Sequence, residues 1–153
     1  MDKKRRVLLQ GTMGLGVLAG AGLLMPRQLL AAWPKDAFAA KGLDAGVQAL
    51  YGADPVSESD AVKITAPDIA ENGAVVPVTI ETTLANVESI SLFVPNNPSS
   101  LSAHFIMGAG ASGYAATRVK MGKTSDVVAV VKAGGKVASA KKEVKVTIGG
   151  CGG

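Results

Sequence analysis

The chain has 153 residues, enough for one modest domain, and it is poor in aromatic residues, with three Phe, two Tyr and one Trp. It contains one cysteine and one histidine, which excludes an intramolecular disulfide and leaves few self-contained catalytic constellations. The formal net charge is +4, but the first 32 residues supply it, because the rest carries equal numbers of basic and acidic side chains. Nothing in the remaining bulk charge indicates a nucleic-acid partner.

The first 32 residues predict a secretory signal. Four basic residues at 3–6 precede an uncharged run at 7–25, and the small residues Ala31–Ala32 follow. The Arg5–Arg6 pair and the glycine-diluted apolar run are typical of a twin-arginine signal. We therefore expect residues 1–32 to be removed, leaving a periplasmic protein without a membrane anchor. An uncleaved anchor is the alternative, since the run is close to the length that spans a bilayer.

A short helix is predicted immediately after this segment. Leu43, Val47, Leu50 and Tyr51 recur at helical spacing, and Gly52 is suited to end a helix. The pattern predicts a helix over 43–51 preceded by a loosely structured lead-in.

From residue 61 the hydrophobic pattern changes to that of β-strands. Short β-branched or alternating runs predict seven strands: 61–66, 74–81, 88–94, 101–107, 113–121, 125–133 and 141–148. Turns rich in Gly, Asn and Pro separate them, among them Asn72-Gly73 and Pro95-Asn96-Asn97-Pro98. Their number and spacing predict a mainly β domain over 33–148, an immunoglobulin-like antiparallel β-sandwich with a short N-terminal helix. A barrel is the alternative. Pro77 inside the second run predicts an edge strand or a bulge.

Few residues of the domain offer chemistry of their own. His104 lies in a predicted strand without nearby cysteine, so a partly buried structural or interface histidine is favoured over a metal ligand. The glycines at 108, 110 and 113 lack the following helix that a dinucleotide site needs. Arg118 and Lys120 predict a solvated strand face, or cations that meet an anionic group. We therefore expect no metal site, no cofactor and no catalytic residue.

The C-terminal residues carry the strongest chemical signal. The sequence ends in Gly149-Gly150-Cys151-Gly152-Gly153, directly after the last predicted strand. Glycine has no side chain and a broad backbone range, so the four flanking glycines predict a thin, flexible arm. A cysteine thiolate is a nucleophile, and a glycine-flanked one can enter a narrow channel of another protein. The pattern favours a carrier arm, with an intermolecular disulfide or an incidental tail as alternatives.

The chain resembles the SoxY family, the sulfur-carrier subunits of the periplasmic thiosulfate-oxidising Sox system. The resemblance covers the leader, the "AWPKDAF" segment, the "RVKM" strand and the terminal "GGCGG". It implies that Cys151 is the covalent attachment site for sulfur intermediates and that Gly149, Gly150, Gly152 and Gly153 form the arm. The terminal pentapeptide is the most specific part of the resemblance.

The resemblance also implies partners. These are a SoxZ-like small β-sandwich subunit in a heterodimer, and three enzymes that dock transiently: a haem enzyme that conjugates thiosulfate, a manganese hydrolase that releases sulfate and a sulfane dehydrogenase. The chain itself is then a carrier and not an enzyme, with sulfur bound covalently in place of a cofactor.

Two other functions stay open on the sequence. A non-catalytic β-sandwich acting as a binding or assembly module would not need the arm. A thiocarboxylate carrier of the ubiquitin-like type also ends in Gly-Gly, but its ATP-dependent activation is cytoplasmic, which disagrees with an export signal.

Overall fold

The computed structural model describes residues 33–147. The predicted signal at 1–32, Ile148 and the Gly149–Gly153 arm with Cys151 lie outside the described residues. All the elements below belong to the compact unit that begins at Pro34. Of the described residues, 48% lie in strands and 12% in helices. Within 33–147 no helix is long and apolar enough to cross a membrane.

Two short helices open the described chain. Helix α1 spans Lys35–Ala39 and helix α2 spans Leu43–Tyr51, which confirms the helix predicted for 43–51. Gly52 ends α2 with a φ of 64°, a left-handed conformation that glycine adopts without strain. The structure adds α1 to the lead-in, because a helix of barely more than one turn is too short to show a hydrophobic period.

Within residues 33–147, nine strands follow the helices. They are β1 Val56–Glu58, β2 Val62–Thr65, β3 Ile69–Ala70, β4 Val76–Thr82, β5 Val87–Phe93, β6 Leu101–Ile106, β7 Tyr114–Val119, β8 Ser125–Ala133 and β9 Lys136–Val146.

The strands form two sheets. The larger has the order β1-β9-β8-β5-β6, with β3 also pairing with β9, and the smaller has the order β2-β4-β7. The long strands pair antiparallel with their neighbours, whereas β1 and β3 run parallel to the two ends of β9. This arrangement confirms the mainly β sandwich with its N-terminal helix, and it gives two separate sheets where a barrel would give one closed sheet.

The larger sheet is buried on both faces. Its inner face packs on the smaller sheet through a main core that includes Ile80, Ile90 and Leu92, and its outer face carries a second cluster around Phe93 and Val130 beneath the helices. Burial on both faces explains why β8 contains a continuous apolar run at 127–131 instead of an alternating one. The domain is therefore layered as helices, larger sheet and smaller sheet.

Several predicted boundaries differ from the structure. Strand β9 begins at Lys136 and not at 141, since Gly134 and Gly135 adopt positive φ values of 55° and 74° and turn the chain back at once. Strands β1 and β3 were not predicted, because two or three residues cannot show alternation. Both strands are stabilised by pairing with the edge of β9 and not by the β-propensity of their own residues.

The edge strand predicted from Pro77 is wrong, because β4 is the central strand of the smaller sheet. No register shift interrupts the pairing of β4 with β7, so there is no bulge. However, β2 reaches only as far as Thr79 along β4. Opposite Pro77 the β2 side of β4 has no strand neighbour among the described residues, so the missing amide hydrogen costs no ladder hydrogen bond.

Candidate carrier site at the end of strand β9

The candidate site is the place where the described chain leads into the predicted arm. Thr147 is the last described residue, and Cys151 follows four positions later. A fully extended chain advances at most ~3.3–3.6 Å per residue, so the Cα atom of Cys151 lies within about 14 Å of that of Thr147. We call Lys145–Thr147, together with the residues that bond to them or pack on them, the root of the arm; these residues are Asp68–Ala70, Gly73 and Thr124.

Hydrogen bonds hold the root on both sides. On one side the Lys145 N–H donates to the Asp68 carbonyl at 2.9 Å, and the Thr147 N–H donates to the Ala70 carbonyl at 3.2 Å. On the other side the Val146 N–H donates to Thr124 Oγ1 at 3.0 Å. The backbone leading to the arm is therefore fixed at three successive residues, which gives the arm a defined starting point.

Gly73 allows the root to pack closely. The Met121 N–H donates to the Gly73 carbonyl at 2.6 Å. A Cβ atom at Gly73 would stand 2.3 Å from the Met121 carbonyl oxygen and 2.8 Å from Cγ1 of Val146. Only glycine fits between the end of β7 and the end of β9, so the Asn72-Gly73 pair, predicted as a turn, also has a packing role.

The loop that carries Thr124 is braced from a second loop. Asn97 donates through Nδ2 to the Lys120 carbonyl at 2.6 Å, and its Oδ1 accepts from the Gly122 N–H at 3.3 Å. Asn96 donates through Nδ2 to the Thr124 carbonyl at 2.9 Å. The Pro-Asn-Asn-Pro segment predicted as a turn therefore also supports the root, a role that local sequence gives no means of predicting.

One ion pair supports the β3 side of the root. Lys142 Nζ lies 3.0 Å from Asp68 Oδ1 and donates to the Ala66 carbonyl at 2.7 Å. The pair is partly exposed, so its contribution is no more than about 1 kcal/mol. Its role is to fix the segment before β3. The described part of the root contains neither histidine nor cysteine, so it supplies position and not a nucleophile.

His104 lies away from the root, on the outer face of the larger sheet. Its Nδ1 is 2.8 Å from Ser91 Oγ, which is 2.6 Å from the hydroxyl of Tyr51 at the end of α2. Burial lowers the pKa of His104 and raises that of Tyr51, so both are neutral at pH 7. The histidine is partly buried and hydrogen-bonded, as predicted for a structural residue. Among residues 33–147 no group of three or more His, Cys, Asp and Glu side chains is arranged to hold a metal.

The remaining residues considered in the sequence analysis are Arg118, Lys120 and three glycines. Arg118 lies near the end of β7 and Lys120 is exposed just after it, which fits the predicted solvated face. The glycines at 108, 110 and 113 lead into strand β7 and not into a helix. The root is therefore the described part of the chain that is nearest to Cys151 in sequence.

A small β-sandwich whose last strand leads directly into a glycine-flanked cysteine has the architecture of a carrier protein. Comparison with known proteins gives the family. The sequence model of sulfur oxidation protein SoxY matches residues 47–151. The structure of the sulfur carrier protein SoxY from Chlorobium limicola f thiosulfatophilum is 45% identical, with a TM-score of 0.65 over 70% of this chain and 97% of that one. The chain therefore belongs to the SoxY family.

Family membership confirms that the protein is a sulfur carrier and not a catalytic enzyme. Superoxide reductase (neelaredoxin) from Ignicoccus hospitalis has the same fold, with a TM-score of 0.51 over 57% of this chain and 80% of that one. A single-residue variant of that reductase has the same score over 59% and 82%. Both are 18% identical to the chain, so the likeness concerns the fold alone. No curated protein sequence matches the chain significantly.

Proposed function

We propose that the protein is a periplasmic carrier that holds thiosulfate-derived sulfur on the thiol of Cys151 and presents it to separate enzymes. The observation that carries the proposal is the match to the SoxY family, which extends to residue 151 and so includes the cysteine. The fixed root supports it, because a carrier needs a rigid body at one end of its arm. Gly149, Gly150, Gly152 and Gly153 provide the thin chain that a narrow channel requires.

The chemistry begins with an oxidative conjugation. The Cys151 thiolate and thiosulfate lose two electrons to the haem of a partner enzyme and form Cys–S–S–SO₃⁻. Water then attacks the terminal sulfur at a manganese hydrolase, which releases sulfate and two protons and leaves the persulfide Cys–S–S⁻. A sulfane dehydrogenase then oxidises the outer sulfur of the persulfide to Cys–S–SO₃⁻, taking oxygen from water and passing the electrons to its own acceptor. A second hydrolysis releases sulfate and restores the thiol. A solvent-exposed thiol takes up and loses such groups reversibly, so the carrier needs no cofactor of its own.

A second subunit completes the proposed assembly. We infer that a SoxZ-like β-sandwich subunit forms a heterodimer with this chain, and that the three enzymes dock transiently at the arm. The signal at 1–32 delivers the protein to the periplasm by the twin-arginine route.

The decisive experiment is mass spectrometry of the protein isolated from the periplasm of thiosulfate-fed cells without reductant. We expect a C-terminal peptide carrying the mass of one thiosulfate or of added sulfur on Cys151, removed by dithiothreitol, and the same spectrum gives the mature N-terminus. The Cys151→Ser variant must lose every adduct. A plain thiol in fed cells favours the assembly module, and adducts that survive in Cys151→Ser favour a terminal thiocarboxylate.

The arm is tested by a variant that keeps the thiol. We expect Gly150→Val to react normally with a small alkylating reagent, because the thiol is unchanged, but to lose enzymatic loading, because the added side chain obstructs entry into a channel. The matched control Gly122→Val adds the same side chain on the domain, where a Cβ atom would meet nothing within 4 Å. Normal loading of Gly150→Val would contradict a narrow docking channel.

A further inference from the structure

One continuous part of the chain carries no charge. Residues 89–117 contain no Asp, Glu, Lys or Arg, although 18% of the whole chain is charged. The segment runs through β5 and β6, the connection that follows, and the first half of β7. Free surfaces of small domains are normally rich in charge, whereas the centres of protein interfaces are depleted in charge. The exposed part of this segment therefore has the composition of an interface.

Strand β6 is an open edge within the described chain. It pairs with β5 and with no other described strand. The Met107 N–H donates to the Glu88 carbonyl, and hydrogen-bonded pairs alternate along an antiparallel ladder. Phe105 and Ala103 therefore face β5, and the backbone N–H and C=O groups of His104 and Ile106 point away from the sheet. These groups are positioned to pair with another strand.

The other sheet edges are protected in the usual ways. The edge strand β2 carries Lys63 and the edge strand β7 carries Arg118, and charged side chains discourage strand addition. At the far edge of the larger sheet, β1 has only three residues and carries Glu58. Strand β6 has six residues and no charge, so it is the described edge best suited to accept a strand.

Exposed apolar side chains continue from this edge. Ile106 is 68% exposed at the end of β6, and Tyr114 is 50% exposed at the start of β7. Ile106, Met107 and the 108–111 segment line a cleft of about 570 Å³ together with Asn86–Glu88. A large exposed aliphatic side chain beside a cleft is suited to an apolar contact from a partner.

We propose that β6 and the connection up to Tyr114 form the docking surface for the second subunit of the proposed heterodimer, which adds one of its own strands to the larger sheet. The inference rests on the proposed function for the existence of that subunit. The proposed occupant is an uncharged strand of a β-sandwich partner, because free backbone groups in ladder geometry are satisfied by a strand. Strands β8 and β5 separate β6 from β9, so this edge lies about 14 Å across the sheet from β9, at ~4.8 Å per strand. The strand pairing puts Ile106 level with Val137, near the start of β9, whereas the root lies at the end of β9, so a subunit bound at this edge leaves the root uncovered.

The test uses the full mature chain and the recombinant SoxZ-type subunit of the same organism. Amide hydrogen exchange followed by NMR should slow at His104 and Ile106 when the complex forms. The amides of Ala103 and Phe105, which already bond to β5, should change much less. This alternation is a signature that side-chain contact alone would not give.

The affinities of two variants for the SoxZ-type subunit test the same docking surface. Ile106→Lys places a charge on the edge and should weaken binding of the SoxZ-type subunit at least tenfold. Val75→Lys is the control, because Val75 is a 51% exposed apolar residue outside the surface, and it should change affinity by less than threefold. Thermal unfolding of the free variants verifies that both fold.

Three outcomes overturn the inference. In the first, the complex forms without protection of the His104 and Ile106 amides. In the second, the Ile106→Lys and Val75→Lys variants bind equally well. In the third, the amides are protected in the absence of the SoxZ-type subunit, which would show that a second copy of this chain occupies the edge. Sulfur loading of Cys151 is measured independently by mass. If loading stands and the edge amides stay unprotected in the complex, the docking surface fails while the carrier function holds.

Discussion

At the scale of single residues, Gly73 decides how closely the loops around the root can pack. We expect Gly73→Ala to lower the free energy of unfolding by roughly 1–3 kcal/mol, because the added methyl group would stand against the backbone carbonyl of Met121, which has little room to move. Gly122→Ala is the matched control in the neighbouring loop, where a Cβ meets nothing within 4 Å. Urea unfolding measures both, and equal losses would contradict the proposed role of Gly73.

His104 makes stability depend on pH. Burial lowers its pKa in the folded state, so the unfolded chain binds a proton more readily than the folded one. Its contribution to stability is full above the unfolded pKa of about 6.5 and falls as the pH drops toward the lower folded pKa. Tyr51, which shares its hydrogen-bond network, has a raised pKa and stays neutral in this range.

We therefore expect the wild-type protein to lose more stability than His104→Gln between pH 7.5 and 5.5. Glutamine retains a side chain able to bond Ser91 but does not titrate. Urea midpoints at the two pH values measure the difference. Equal losses of stability in the two proteins would show that other groups cause the pH dependence.

At the scale of elements, the connection between β5 and β6 supports the connection between β7 and β8. We expect Asn97→Ala to destabilise the protein by roughly 1–3 kcal/mol, because the side chain makes two hydrogen bonds to the 120–122 backbone. Lys123→Ala, an exposed position in the supported loop, should change stability by less than about 0.5 kcal/mol. Thermal unfolding compares the two variants. Unchanged stability of Asn97→Ala would show that the connection between β7 and β8 keeps its conformation without Asn97.

The elements also show what the sequence could predict. Helix α2 and strand β8 begin and end where the pattern places them, because both have a clear hydrophobic signal and glycine or polar residues at their ends. The parallel strands β1 and β3 were missed because they exist only through pairing with β9, a contact between residues distant in sequence. The prediction of an edge strand or a bulge at Pro77 is wrong because the length of β2 cannot be foreseen from the composition of β4.

In the site, too, features set by local sequence could be predicted and features set by contacts between distant segments could not. The terminal cysteine and its glycines are recognisable as a motif, since their chemistry is local. The root is not recognisable, because it joins Asp68, Gly73, Thr124 and Val146 through contacts between four separate segments. The uncharged edge at β6 needed both the composition of 89–117 and the strand order before it could be identified as an interface.

At the scale of the whole molecule, the domain and the arm should be separable. We expect deletion of residues 149–153 to leave the unfolding temperature of the domain unchanged, because hydrogen bonds up to Thr147 already close the root. The same deletion should abolish sulfur loading. Calorimetry and intact-mass analysis of one preparation test both expectations. A large fall in unfolding temperature would show that the arm belongs to the fold.

The pairing of β9 has a mechanical consequence. The strand that leads to the arm is 11 residues long, is flanked along most of its length by β8, and is held at its two ends by β1 and β3. A tension applied along the arm acts parallel to this strand and loads the flanking hydrogen bonds in shear. Bonds loaded in shear must yield together, whereas bonds that are unzipped break one at a time. A pull along β9 is therefore resisted by its hydrogen bonds to β8, β1 and β3 together.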